Sequence, residues 1–208
     1  MIHFVGAGPG AADLITMRGH QLLTEADVII YAGSLVNPEL LQYAKASCSI
    51  YNSASMTLEE VINVMKQAEE KNQLTVRLHT GDPSLYGAIR EQMDQLDAYN
   101  ITYDVVPGVS SFCGAAAALK AEYTLPNVSQ SVIITRMAGR TPVPEKEEIA
   151  LLAAHQATMV IFLSTGMLEQ LSQRLLAGGY QTDTPAAIVY KATWDDEKVC
   201  RCTIATLA

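Results

Sequence analysis

Basic side chains are scarce in this chain of 208 residues: 14 lysines and arginines stand against 22 aspartates and glutamates, a formal net charge of −8. No window gathers the cations together, which argues against nucleic acid or an anionic membrane as a partner. Long apolar runs are missing as well. None reaches the roughly 18 residues that span a bilayer, and the N-terminus enters a strand-like segment without the basic flank and apolar stretch of an export signal, so a cytoplasmic protein is expected. The four cysteines (48, 113, 200, 202) and four histidines (3, 20, 79, 155) are dispersed. That spacing predicts no metal site. Cys200 and Cys202 alternate along one face of a strand-like stretch, about 6.6 Å apart, and are read as buried apolar cysteines. Heptads, short repeats and low-complexity segments are absent too. With 49% apolar residues the chain has enough core for one large domain or two small ones.

The most informative segment is Ile2–Gly10, IHFVGAGPG, an apolar run that ends in a Gly/Pro loop. Gly6, Gly8 and Gly10 permit backbone angles and close approaches forbidden to other residues. With Ala11 they satisfy the loose dinucleotide pattern G-x-G-x-x-G/A. Two absences count against that reading. The second strand, Asp27–Tyr31, runs into Ala32-Gly33-Ser34 with no acid to hold a ribose hydroxyl, and Pro9 removes an amide that would cradle a pyrophosphate.

Strand-like and helix-like patterns then alternate, which predicts an α/β fold with a mostly parallel sheet. Thr57 and Glu60 form a capping box ahead of a helix to about Asn72. Strands are expected at Leu74–Leu78 and Ile101–Val106, each followed by a Gly/Pro loop: His79–Pro83 after the first, Pro107-Gly108 after the second. Ser110 is placed to cap an alanine-rich helix that begins near Ser111. Loops at the carboxyl ends of parallel strands converge on one ligand crevice. The polar stretch Glu122–Gln130 reads as the passage between a domain 1–121 and a second α/β domain 122–208. In the latter, strands are expected at 131–137, 157–164, 186–191 and 199–207, with helices at about 145–155 and 165–177. The chain stops just after a strand, so the second domain is expected to be truncated.

Six motifs occur in fixed order: GAGPG (6–10), IIYAGSLV (29–36), HTGDPSLYG (79–87), VPGVSSF (106–112), TRMAGRTPVPE (135–145) and YKATW (190–194). On these the chain resembles the tetrapyrrole methylases, most nearly their precorrin-4 and cobalt-precorrin-4 C11-methylating branch. The resemblance implies two α/β domains with a cofactor cleft between them. S-adenosylmethionine is then the methyl donor, S-adenosylhomocysteine the product and a tetrapyrrole of cobalamin synthesis the substrate, with a homodimer as the assembly. Matched residue by residue, it places Pro9, Thr80, Gly81, Asp82, Leu85, Ser110 and Ser111 at the donor. Ser164 and Ala192 match contacts from the second domain. Asp82, Tyr31 and Ser34 are the catalytic candidates, although the family's other branch carries an Asp in the motif that here reads Tyr31–Ser34. The alternative reading of Asp82 is a carboxylate capping its own Gly-Asp-Pro turn.

The substrate is a polycarboxylate, and Arg90, Arg136, Arg140 and Lys191 are the candidate cations for it, the arginines with bidentate geometry. Trp194 is a candidate for stacking on the macrocycle or for packing. A methylase of another precorrin carbon, a dinucleotide-dependent oxidoreductase and a non-catalytic adenosyl-ligand-binding protein remain open alternatives. Whether cobalt is present in the substrate leaves no trace in the protein's own residues.

Overall fold

The computed structural model describes residues 1–208, which form two compact units, 1–115 with 191–197 and 116–190 with 198–208. In the first, the run Ile2–Gly6 is strand β1, buried at every position. Thr16, whose side chain accepts the Gly19 amide, opens α1 (Met17–Glu25). Strands β2 (Val28–Tyr31) and β3 (Ser49–Asn52) follow. Next comes α2 (Leu58–Glu70), closed at its start by the expected box: Thr57 Oγ1 accepts the Glu60 amide, and Glu60 Oε2 accepts the Thr57 amide. Then come β4 (Thr75–His79), α3 (Arg90–Ala98), β5 (Tyr103–Val106) and α4 (Ser111–Leu119), in which the boundary between the units falls.

The five strands form one sheet in the order β3-β2-β4-β1-β5, parallel throughout. Alternation along the strands sends Val5, Ile29, Val76 and Leu78 to one face, where Leu23 of α1 and Leu40 cover them. Ile2, Phe4, Val28 and Ile30 face the other side, under Val61, Ile62 and Met65 of α2 and Leu96 of α3. Burial on both faces explains why β1 and β2 read as nearly continuous apolar runs. The chain leaves β1 for a helix on one face and leaves the adjacent β4 for a helix on the other. That divergence is the switch point at which parallel sheets of this kind hold ligands.

The second unit contains β6 (Val132–Arg136), α5 (Ile149–Ala153), β7 (Thr158–Phe162), α6 (Leu168–Ala177), β8 (Pro185–Tyr190) and β9 (Lys198–Thr203). β6 and β7 pair in parallel and β8 and β9 antiparallel, over a core of Ile149, Ala153, Leu171, Leu175, Ile204 and Leu207.

Four expectations are corrected. The compact units divide at 115/116 rather than 121/122, and residues 191–197 return to the first unit because their side chains pack on its loops. The last strand ends at Thr203, where the chain turns inward to bury Ile204 and Ser172 Oγ donates to its carbonyl at 2.6 Å. The helix expected at 145–155 is a short 3-10 turn, 145–147, and then α5. Glu148 separates them by accepting the Ala150 amide. None of the four cysteines is buried: Cys113 and Cys200 are exposed, Cys48 and Cys202 half-buried.

Candidate active site

Three loops leave the carboxyl edge of the first sheet and meet backbone to backbone. The Ala7 amide donates to the His79 carbonyl at 2.7 Å, and Gly8 and Gly81 exchange amide-to-carbonyl bonds of 3.3 and 2.9 Å. A Cβ on Gly6 would lie 2.5 Å from Gly108 Cα, and one on Gly108 would lie 2.2 Å from the Gly81 oxygen. The glycines in these loops therefore make room for one another, where sequence reasoning had assigned the room to a ligand. Gly81 is different: an added Cβ would meet only ordinary contacts near Ser110 and Ser111, and its requirement is a φ of +59°.

Asp82 ties the second loop to the third. Its carboxylate accepts the Ser84 amide at 2.8 Å, the Ser84 hydroxyl, and the Gly108 amide at 2.9 Å. Burial pushes this carboxyl up, but the hydrogen bonds from Ser84 and Gly108 outweigh it and hold the group below the ordinary carboxylate value. The turn-capping reading of Asp82 thus describes its hydrogen bonds. Thr80 and Leu85 are half-buried on either side, while Ser110 is buried beside Gly81, its carbonyl accepting the Cys113 and Gly114 amides as α4 begins at Ser111. Tyr31 ends β2 half-buried against the core, and Ser34 is exposed one turn further on.

The segment 191–197 closes over the first loop. Thr193 Oγ1 accepts the Ala11 amide at 2.9 Å, Asn37 Nδ2 donates to the Gly10 carbonyl at 3.0 Å, and a Cβ on Gly10 would fall 2.2 Å from the Trp194 indole. Buried Ala192 packs against Gly114, so it belongs with the first unit and not with the second, as its place in the sequence had implied. Lys191 and Thr193 hold φ of +49° and +69°, strained for side chains with a Cβ and most of all for β-branched threonine. Beside this segment lies an open cavity of about 610 Å³, walled by Asp13, Glu39, Tyr43, Trp194, Asp195 and Asp196 among others. None of the second- or third-loop residues lines it. Its carboxylates contrast with the cationic surface expected for a polycarboxylate. Lys191 reaches Asp196 at 2.7 Å and lies 5.0 Å from the Trp194 ring centre, and Arg90 pairs with Asp94 one turn along α3.

In the second unit Ser164 is 2% exposed, accepting the Met137 amide at 3.0 Å and donating to the Phe162 carbonyl at 2.7 Å, so its hydroxyl joins the ends of β6 and β7. Next to it Leu163 is exposed with φ +55°, and the space beside the Gly166 Cα is open. Arg136 donates to the carbonyls of Met137, Thr141 and Pro142 at 3.1, 3.1 and 2.8 Å. It folds its own loop around itself. Arg140 on that loop is exposed and has no hydrogen-bond or ion-pair partner. Sequence reasoning missed Thr193, and also Arg77 and Gln92, which are buried under the second loop. The available signal was an arginine and a histidine inside the otherwise apolar strand TVRLH.

A parallel sheet with its switch point between β1 and β4, three interlocked Gly/Pro loops there, and a second, smaller α/β unit define a class of two-unit α/β proteins with strand-end ligand loops. The chain belongs to the Tetrapyrrole (Corrin/Porphyrin) Methylases, whose family model matches residues 1–208. It is 57% identical over 204 residues to a cobalt-precorrin-4 C(11)-methyltransferase of Methanocaldococcus jannaschii, covering 98% of this chain and 79% of that protein. A precorrin-4 C(11)-methyltransferase of Mycobacterium tuberculosis is 44% identical, with 100% of this chain and 83% of the relative covered. Among solved structures, an X-ray structure of a cobalt precorrin-4 methyltransferase superposes with a TM-score of 0.97 at 45% identity, covering 99% of this chain and 86% of that one.

Proposed function

We propose that this protein is an S-adenosylmethionine-dependent methyltransferase acting on C11 of precorrin-4 or its cobalt complex during corrin synthesis. The 57% identity to the Methanocaldococcus jannaschii cobalt-precorrin-4 enzyme, over 98% of this chain and 79% of that protein, carries this reading. The residues present suit the donor. An adenosyl sulfonium has no pyrophosphate, and the first loop has Pro9 where a phosphate cradle would need an amide. The turns at Thr80–Gly81 and Ser110–Ser111, with Leu85 beside them, present backbone polar groups and an apolar wall. In the second unit, exposed Leu163 and the open space at Gly166 adjoin Ser164. Bound at the strand-end loops of the first unit, the donor would supply an electrophilic methyl group.

The chain's own part is positioning, the source of up to roughly 7–11 kcal/mol of barrier lowering in well-oriented reactions. Asp82, with all its hydrogen bonds directed at Ser84 and Gly108, holds the donor loops in register. Tyr31 and Ser34 stay as the candidates for a group beside the reacting carbon. For the substrate's carboxylates we assign Arg140 first, because Arg136 is committed to its own loop, and Arg90 and Lys191 second, each sharing its charge with an aspartate. The relatives' biosynthetic role supports a cytoplasmic enzyme, and the family resemblance a homodimer; no helix is long and apolar enough to cross a membrane.

Titration of the folded protein with S-adenosylhomocysteine, beside NAD, tests the reading. One site per chain for the former and none for NAD is expected. Binding of NAD alone would overturn the methyltransferase assignment in favour of an oxidoreductase.

A further inference from the structure

The loop that follows β4 is under conformational strain. Besides Gly81 (φ +59°), two residues with a Cβ sit in the left-handed region, Tyr86 at +57° and Ala88 at +50°. Each such residue is strained and persists only when its surroundings hold it. The loop is also folded tightly on itself, since a Cβ on Gly87 would lie 2.2 Å from the Pro83 oxygen. Asp82 pins its near end to Gly108. Its far end is held from below. Gln92 on α3 donates from Nε2 to the Ala88 carbonyl at 3.0 Å, while its Oε1 accepts from Arg77 Nε at 3.0 Å. Arg77, 7% exposed in the middle of β4, also donates to the Ile30 carbonyl of β2 at 3.1 Å.

Arg77 has no carboxylate partner, and burial draws its guanidinium down to about 10. A cation buried without a counter-ion is costly, and the acceptors it does find, Gln92 Oε1 for Nε and the Ile30 carbonyl for Nη1, are what hold it in place. Since arginine only donates, it fixes which way round the Gln92 amide lies: the oxygen toward Arg77 and the NH2 toward Ala88. The orientation of one side chain thus passes from the rigid centre of the sheet to the strained end of the loop.

We propose that Arg77 and Gln92 are positioning residues, a buried strut that sets the 82–89 loop in its donor-binding conformation. The proposal rests on the methyltransferase reading for its ligand. Its structural half does not.

Gln92→Glu separates the strut from mere stability. An ionised carboxylate accepts from Arg77 at least as well as the amide does and neutralises the buried charge, but it has no hydrogen to give Ala88. The melting temperature should therefore hold or rise, while amide exchange of residues 84–89 quickens and S-adenosylhomocysteine binds more weakly. Loss of one hydrogen bond predicts about a fivefold change in each. Gln92→Met, which removes both contacts, should loosen the loop equally but also lower the melting temperature. Unchanged loop exchange in Gln92→Glu overturns the strut. Faster exchange with unchanged ligand affinity overturns its role in donor binding. If the unmodified protein does not bind S-adenosylhomocysteine, the proposed function falls instead, and exchange alone still decides whether the strut exists.

Discussion

His79 shows how a single residue sets a pH response. It ends β4 on the same face as Arg77, 3% exposed, its ring 6.0 Å from that of Phe4, and its Nε2 has no hydrogen-bond partner. Burial, assisted by the neighbouring Arg77 charge, lowers its pKa from 6.5 to about 3. Folded, the imidazole is neutral; unfolded, it takes up a proton below 6.5. The unfolded state then binds more protons, so stability falls as pH drops from 6.5 toward 3, by about 1.4 kcal/mol per pH unit. Urea unfolding at pH 6.5 and pH 5 should show a loss of about 2 kcal/mol from this group. His79→Leu should remove that portion of the slope. An unaltered slope in the variant would assign the acid sensitivity to other groups.

Among elements, the 136–145 loop divides the labour of its two arginines. Arg136 satisfies three carbonyls of its own loop, an internal frame for a proline-containing segment with little regular secondary structure. Arg140 satisfies none. Arg136→Ala is expected to loosen the loop, seen as faster proteolysis between 137 and 145, with substrate turnover falling as a consequence. Arg140→Ala should leave proteolysis unchanged and raise the KM for the macrocycle. A charge-assisted hydrogen bond contributes about 1.5–3 kcal/mol, so roughly a tenfold or greater loss in kcat/KM is the expected scale for Arg140. Equal proteolytic sensitivity in both variants would show that the loop does not depend on Arg136. The same division holds at Asp82, whose role as a clamp became visible only when Gly108, 26 positions away, was placed beside it.

For the whole molecule, the decisive feature is the return of residues 191–197 to a unit otherwise built from the first 115. Trp194, the only tryptophan in the chain, covers Gly10, and Thr193 binds the Ala11 amide. Truncating a buried tryptophan costs about 3–5 kcal/mol, a scale that half-buried Trp194 approaches only where the indole meets Gly10. Trp194→Ala should therefore raise amide exchange in β1 and the loop after it, with β7 in the second unit keeping its protection. Equal loss in β1 and β7 would mean that the segment stabilises both units.

Much of the architecture was legible in the residues. The apolar runs, the Thr57–Glu60 box and the Gly/Pro strand ends predicted a parallel α/β sheet with three converging loops, because burial, capping and turn geometry are local properties that residue type expresses directly. Strand order, the purpose of the glycines, and the partners of Asp82, Arg136, Lys191 and Ser164 were not legible in the same way. Gly6 requires hydrogen in place of Cβ because Gly108 lies against it, and Ser164 is consumed by Met137 and Phe162. Periodicity carries no information about which distant backbone will arrive at a given side chain. Motif order alone determined the family; only the tertiary structure decided which polar groups the fold already satisfies and which, like Arg140, it leaves exposed, since a hydrogen bond exists only between groups that packing has brought within reach.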